Sequence, residues 1–102
     1  MSINPAEIQA SAQRLFPNAS LDQVMVELLL ERAQKNLIKY QTMVRQFETK
    51  YGKDFETFRQ QVSRAQPPFE MEQDYFDWEL AVSGISDMGE EIERLRKLNQ
   101  QP

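Results

Sequence analysis

The longest regular pattern in the chain lies between residues 20 and 51, where apolar residues recur at alternating spacings of four and three. It opens with Ser20-Leu21-Asp22-Gln23, in which the serine hydroxyl and the glutamine amide are spaced for a capping box. It closes at Gly52, which suits the left-handed cap of a helix C-terminus. The pattern predicts one long helix over 20–51 with a coiled-coil-like seam. The seam positions are Val26, Leu30, Ala33, Leu37, Tyr40, Val44, Phe47 and Tyr51.

The first turns of this helix are apolar on almost every side, because six of the seven residues from 24 to 30 are aliphatic or methionine. Such a segment must be covered from more than one direction. We expect the first and last helices to cover part of it and a second subunit to cover the rest. The sequence therefore predicts a homodimer, with an interface formed by Val24, Met25, Leu28 and Leu29.

Three further helices follow from local signals. Asn4 before Pro5 predicts a short helix over 5–16, and Asp54 as N-cap predicts another over 54–64. Pro67-Pro68 lies in a stiff linker predicted over 65–71, and a last long helix is predicted over 72–98. We expect a break or a close helix contact at Gly84. The apolar positions of this last helix are Tyr75, Trp78, Val82, Ile85, Met88, Ile92 and Leu95.

These elements predict an all-α fold in a single domain, 1–102. The two long helices are similar in length, and the short helix and linker between them can reverse the chain direction. No strand pattern is present in the sequence. The expected architecture is an antiparallel hairpin of two long helices with two short helices packed around it, dimerising as a helical bundle.

The amino-acid composition argues against several classes of protein. The chain has no histidine and no cysteine, so it lacks the usual general base near neutral pH, the thiol nucleophile and the commonest metal ligands. The net charge of −4 does not favour a broad nucleic-acid footprint. No apolar run approaches the roughly 20 residues that span a membrane, and the N-terminus lacks a signal-peptide pattern. We expect a non-enzymatic, cofactor-free cytoplasmic protein.

Basic and acidic residues are concentrated in different segments of the chain. Between residues 32 and 64 there are eight basic and three acidic residues, whereas every charged residue from Glu70 to Glu93 is acidic. One interpretation is that the two long helices complement each other across the hairpin. The other is that the acidic segment faces a basic partner protein. The two interpretations are compatible because a helix has more than one exposed stripe.

The segment from Phe69 to Glu79 combines five carboxylates with four aromatic rings and contains no basic residue. Helical spacing groups Tyr75 and Trp78 with the core, while Phe76 falls on a different face. Carboxylates at this density resist burial unless cations oppose them. The candidate partner-binding residues are Glu70, Glu72, Asp74, Phe76, Asp77 and Glu79.

The same carboxylates allow a metal-dependent alternative. Asp74 and Asp77 share one helix face, and Glu27 and Glu31 share another, which could hold magnesium as in the all-helical nucleotide pyrophosphatases. The characteristic paired glutamate runs and a phosphate-binding glycine loop are missing from the sequence. The basic residues of the first long helix also lack a recognition-helix motif or a stacking platform for nucleic acid.

A sequence pattern is shared with a known group of proteins. Its parts are Lys50-Tyr51-Gly52, Asp54-Phe55-Glu56-Thr57-Phe58, Phe69-Glu70-Met71-Glu72 and Asp74-Tyr75-Phe76-Asp77-Trp78-Glu79. The pattern resembles small helical bacterial and archaeal proteins that look like the antitoxin halves of toxin–antitoxin pairs. This chain differs from them by an additional N-terminal helix and a long linker.

The resemblance implies an antitoxin-like interaction module that covers a basic partner, such as a ribonuclease toxin, with its acidic–aromatic surface. A structural or adaptor bundle whose acidic face is only solvated is the alternative. A metal-dependent nucleotide pyrophosphatase is the third possibility.

Overall fold

A computed structural model describes residues 2–100, which form four α-helices and, within that range, no β-strand. The two long helices have 31 residues each and pack against one another along their length in antiparallel directions. The predicted all-α hairpin with two accompanying short helices is confirmed. The helices are α1 (Pro5–Leu15), α2 (Leu21–Tyr51), α3 (Phe55–Arg64) and α4 (Phe69–Asn99).

Capping residues define the starts of α1 and α2 and the end of α2. Asn4 accepts a hydrogen bond from the Ala6 amide at 2.9 Å. Ser20 and Gln23 form both hydrogen bonds of the capping box. Gly52 ends α2 in the left-handed conformation at φ 65°, a region that costs glycine nothing.

The start of α4 differs from the prediction. The helix begins at Phe69, three residues before the predicted position, so the linker covers only 65–68. Pro68 is extended at φ −57° and ψ 156°, and its carbonyl accepts the Glu72 amide at 3.1 Å. The chain therefore turns helical immediately after the proline pair, and Glu70 and Glu72 lie in the first turn, where the helix dipole favours carboxylates.

The register between α2 and α4 is fixed by contacts along the hairpin. Lys50 pairs with Asp74 at the end of the hairpin that α3 joins, called the closed end. Ala33 packs with Ile92 towards the opposite end, called the open end. At these contacts, the sequence numbers of the α2 residue and the α4 residue that face each other add up to about 125. Helix α4 continues through Gly84 without a break. The helices are close together here, since a Cβ atom at Gly84 would lie 2.6 Å from the Tyr40 ring. The expectation of a close helix contact at this glycine is confirmed.

The seam between the long helices is the core of the molecule. Every predicted α2 seam residue is buried or half-buried. On α4, Ala81 is fully buried while Val82 is exposed, so the prediction for Val82 was wrong. Val82 is larger and more apolar than Ala81, but the two helices approach closely, so the smaller alanine lies between them. The buried apolar residues are Val24, Ala33, Phe58, Trp78, Ala81, Ile92 and Leu95.

The molecule is a flat, elongated layer that measures 58 × 34 × 18 Å. Its radius of gyration is 19.7 Å, whereas a compact domain of this length has about 13 Å. Most residues of the two long helices are exposed or half-buried, so both helices keep wide exposed surfaces. None of the helices within residues 2–100 combines the length and the apolar character that a membrane crossing requires.

Candidate interaction surface on α3 and α4

The closed end of the hairpin contains an aromatic cluster centred on Trp78. This side chain is fully buried and lies between rings from α2 and α3. Its centroid is 5.0 Å from that of Phe58, 5.5 Å from that of Phe55 and 5.6 Å from that of Phe47. Tyr51 and Phe58 are in contact at 4.3 Å. The expectation that Trp78 belongs to the core is confirmed, and the cluster fixes α3 against the start of α4.

One polar atom in this cluster is unsatisfied. The indole Nε1 of Trp78 is buried and has no hydrogen-bond acceptor among the described residues. A buried donor without an acceptor costs about 1–3 kcal/mol. The contacts of Trp78 with the surrounding rings oppose that cost.

Asp74 is held inside the chain. Its carboxylate accepts hydrogen bonds from Lys50 Nζ at 2.6 Å and from the Tyr51 hydroxyl at 2.5 Å. Partial burial raises the pKa of Asp74, but the hydrogen bonds from Lys50 and Tyr51 outweigh that effect and leave the pKa below its ordinary value. Burial, and then the bond to Asp74, raises the pKa of Tyr51. Asp74, one of the predicted partner-binding residues, thus joins α2 and α4, and its side chain is 15% exposed.

The other carboxylates of the predicted site differ in availability. Glu70 is 3.1 Å from Lys50, yet its side chain stays 80% exposed. Glu79 accepts a hydrogen bond from the Tyr75 hydroxyl at 2.9 Å, which raises the pKa of Tyr75. Asp77 is half-buried. Within residues 2–100, Glu72 is exposed and has no cation within ion-pair distance.

Phe76 lies on the outward side of α4 and is 53% exposed, as helical spacing predicted. Two residues that the sequence reasoning missed continue its stripe. Phe69, seven positions earlier, is 81% exposed, and Leu80, four positions later, is 60% exposed. Spacings of seven and four place all three on one side of a helix. That spacing was the signal that could have identified Phe69 and Leu80.

A groove runs beside this stripe, where α3 meets the start of α4. It has a volume of about 320 Å³. Arg59, on one wall, is paired with Glu56 at 2.9 Å, so its charge is already compensated. The lining residues are Arg59, Val62, Ser63, Pro67, Glu72, Tyr75 and Phe76. The exposed acidic–aromatic surface therefore consists of a helix stripe and an adjoining groove.

The predicted dimer interface lies at the opposite, open end of the hairpin. Met25, Leu28 and Leu29 are each about half exposed and line a second concavity of about 380 Å³ together with Glu31, Arg32 and Lys35. Val24 is different, because it is only 4% exposed within the single chain. The apolar surface that a second subunit could cover here therefore excludes Val24.

The carboxylates of the metal-dependent alternative do not come together. Glu27 and Glu31 lie near the open end of the hairpin, whereas Asp74 and Asp77 lie at the closed end. By the observed register, the two pairs are separated by roughly 30 Å along the helices. Within residues 2–100, no three acidic side chains are grouped as a metal site would require. A magnesium ion shared by the two pairs is excluded by this separation.

Comparison of the chain with protein-family models, with curated proteins and with solved structures finds no match in any of the three.

Proposed function

We propose that this chain is a non-enzymatic protein–protein interaction module that covers a basic partner protein with the acidic–aromatic surface of α3 and α4. The observation that carries the proposal is the exposed stripe of Phe69, Phe76 and Leu80, which lies among carboxylates. The basic residues beside it, Arg59 and Lys50, are already paired with Glu56 and with Glu70 and Asp74. Exposed aromatic side chains in a contiguous stripe are characteristic of binding surfaces.

The chemistry of the surface defines the partner. Phe76 and the groove beside it supply apolar area for an anchoring side chain. Glu70, Glu72 and Glu79 surround this area with negative charge, which attracts lysine or arginine and speeds the encounter of the two proteins. Asp74 takes no direct part, since it is bound to Lys50 and Tyr51.

The resemblance to antitoxin-like proteins adds a class of partner. A toxin that acts on RNA needs a basic surface, and an acidic–aromatic helix is suited to cover such a surface. We propose that this chain acts in the cytoplasm as the antitoxin-like half of such a pair.

The proposal is tested by co-expressing the chain with the product of the neighbouring gene and measuring complex formation with purified components. Phe76→Ala and Glu72→Lys should each weaken the complex by more than about tenfold, with helix content unchanged. Glu93→Lys, on α4 but far from the stripe, is the matched control and should bind like wild type. No stoichiometric complex with a basic protein, or binding insensitive to both variants, would contradict the proposal and favour a structural adaptor.

A second proposal concerns self-association, and the accessible surface favours it. The chain exposes 7986 Å², whereas a compact monomer of 12.0 kDa exposes about 6,000 Å². The excess is larger than the roughly 800 Å² that each partner buries in a standard interface. We propose that the chain forms a homodimer that covers part of this excess, including Met25, Leu28 and Leu29.

A further inference from the structure

One flat face of the hairpin carries two rows of side chains at heptad spacing. On α2 the row is Leu29, Asn36, Met43 and Lys50, and on α4 it is Glu70, Asp77, Gly84, Glu91 and Leu98. Lys50, the last residue of the α2 row, and Glu70, the first of the α4 row, form an ion pair at 3.1 Å. The two rows therefore lie on the same face of the hairpin. Residues seven apart stay on one side of a helix that packs in a coiled-coil manner.

Helix α3 lies against the other face of the layer. Its Phe55 stacks on Tyr75 with a centroid distance of 5.7 Å. Tyr75 is five positions after Glu70, which places it about 140° around α4. The face with the two heptad rows is therefore not covered by α3.

We propose that a second copy of this chain docks on this uncovered face, related by a two-fold axis parallel to the long helices. The inference rests on the homodimer proposal and adds its geometry. A two-fold axis in this direction keeps each residue at its own level along the bundle. It also lays α2 of one copy on α4 of the other, which gives an antiparallel four-helix bundle.

The apolar members of the two rows match in this arrangement. Residues of the two copies lie within about one helical turn of the same level when their numbers add up to 125–127, close to the 124–125 of the contacts inside the hairpin. Leu29 then meets Leu98 of the second copy, and both side chains are about half exposed in the single chain. Met43 lies level with Gly84, which is buried against Tyr40 of its own chain, so the match of apolar side chains rests on the two leucines.

The polar members match as well. Asn36 lies level with Glu91 of the second copy, and an amide can donate a hydrogen bond to that carboxylate. Lys50 lies level with Asp77 of the second copy. Beside the rows, the exposed Lys39 lies level with the exposed Asp87. Asp77, Glu91 and Lys50 thus lie level with an opposite charge or a hydrogen-bond donor of the second copy. Within its own chain, Lys50 also pairs with Glu70 and Asp74, and Glu91 pairs with Arg94.

The other two-fold arrangement lacks this complementarity. An axis perpendicular to the helices would place α2 on α2 and α4 on α4. The charged members of the α4 row, Glu70, Asp77 and Glu91, are all acidic, so this arrangement would oppose like charges. Close like-charge contacts disfavour an association. Charge complementarity therefore selects the pairing of α2 with α4.

The test compares charge substitutions on the two rows by analytical ultracentrifugation, with circular dichroism as the control for folding. Leu98→Glu and Leu29→Lys should each raise the dimer dissociation constant by more than about tenfold, because each puts an unpaired charge against leucine. An equimolar mixture of the two variants should recover a heterodimer, in which Lys at 29 faces Glu at 98. Ile38→Lys, at an exposed apolar position outside the rows, should dimerise like wild type.

Two results would overturn the inference in distinguishable ways. A wild-type chain that stays a single chain up to high micromolar concentration would remove the homodimer proposal together with its geometry. A wild-type dimer that tolerates Leu98→Glu but dissociates with Leu28→Lys would retain the homodimer and replace this pairing by an α2–α2 contact.

Discussion

The two ends of the hairpin are packed very differently. The closed end, where α3 joins α2 and α4, has two fully buried aromatic side chains, Trp78 and Phe58, and an ion-pair network at Asp74. The open end has a small aliphatic cluster of Ala33, Ile92 and Leu95, while Leu28 and Leu29 are about half exposed. The closed end therefore has an aromatic core beneath its exposed stripe of Phe69, Phe76 and Leu80, whereas the open end has only a small aliphatic core. The closed end presents the acidic–aromatic surface on a rigid base, whereas the open end still has apolar area to cover.

The largest expected effect is at the centre of the closed end. Trp78→Ala should lower the free energy of unfolding by about 3–5 kcal/mol, because it removes the ring that contacts both α2 and α3. Urea denaturation followed by circular dichroism would measure the loss. A loss below about 1 kcal/mol would contradict the central position of the Trp78 cluster.

Gly84→Ala should lower the free energy of unfolding by about 1–3 kcal/mol, because the new methyl group overlaps the Tyr40 ring. Gly89→Ala is the matched control on the same helix. Nothing lies within 4 Å of a Cβ atom at Gly89, so the alanine should stabilise the protein by up to about 1 kcal/mol. Equal effects of the two substitutions would show that α2 and α4 do not approach closely at Gly84.

Asp74 should make the stability depend on acidic pH. Its folded-state pKa lies below the ordinary value of 3.8, so its ionised form stabilises the fold above that pH. This contribution is lost as the pH falls through the folded-state pKa. Asp74→Asn should therefore destabilise the protein at pH 7 by about 1–2 kcal/mol and flatten the decline of stability below about pH 4. An unchanged pH profile in denaturation experiments would indicate that Asp74 does not hold the helices together.

The smallest effect is expected at the open end. Leu28→Ala should change the free energy of unfolding of the single chain by no more than about 0.5 kcal/mol, because Leu28 is exposed there. Denaturation at protein concentrations below the dimer dissociation constant would measure this change. A loss comparable to that of Trp78→Ala would remove the contrast between the two ends.

Much of the fold follows from the sequence, because its local signals agree with its long-range pattern. The Ser20 capping box, Gly52 and the alternating seam of α2 predicted that helix almost to the residue. The start of α4 was harder, since neither Pro68 nor Phe69 is an N-capping side chain. Val82 was wrongly predicted as a buried position of α4, because apolar character alone does not show how closely two helices approach.

The candidate site was predictable in its composition but less so in its geometry. Helical spacing identified Phe76 as exposed, and the same rule applied to Phe69 and Leu80 would have completed the stripe. The role of Asp74 depends on its contacts with Lys50 and Tyr51, more than twenty positions away. Charge counting along the chain cannot separate a carboxylate that joins helices from one that faces solvent.

Hydrogen exchange of backbone amides along α2, in dilute solution of the free chain, tests the contrast between the two ends most directly. The amides between Val44 and Tyr51 lie beside the Trp78 cluster and should exchange only by near-global unfolding. The amides between Val24 and Leu30 should exchange faster by about tenfold or more, because few contacts hold that segment in a single chain. Uniform protection along α2, or stronger protection at its first turns, would contradict the account.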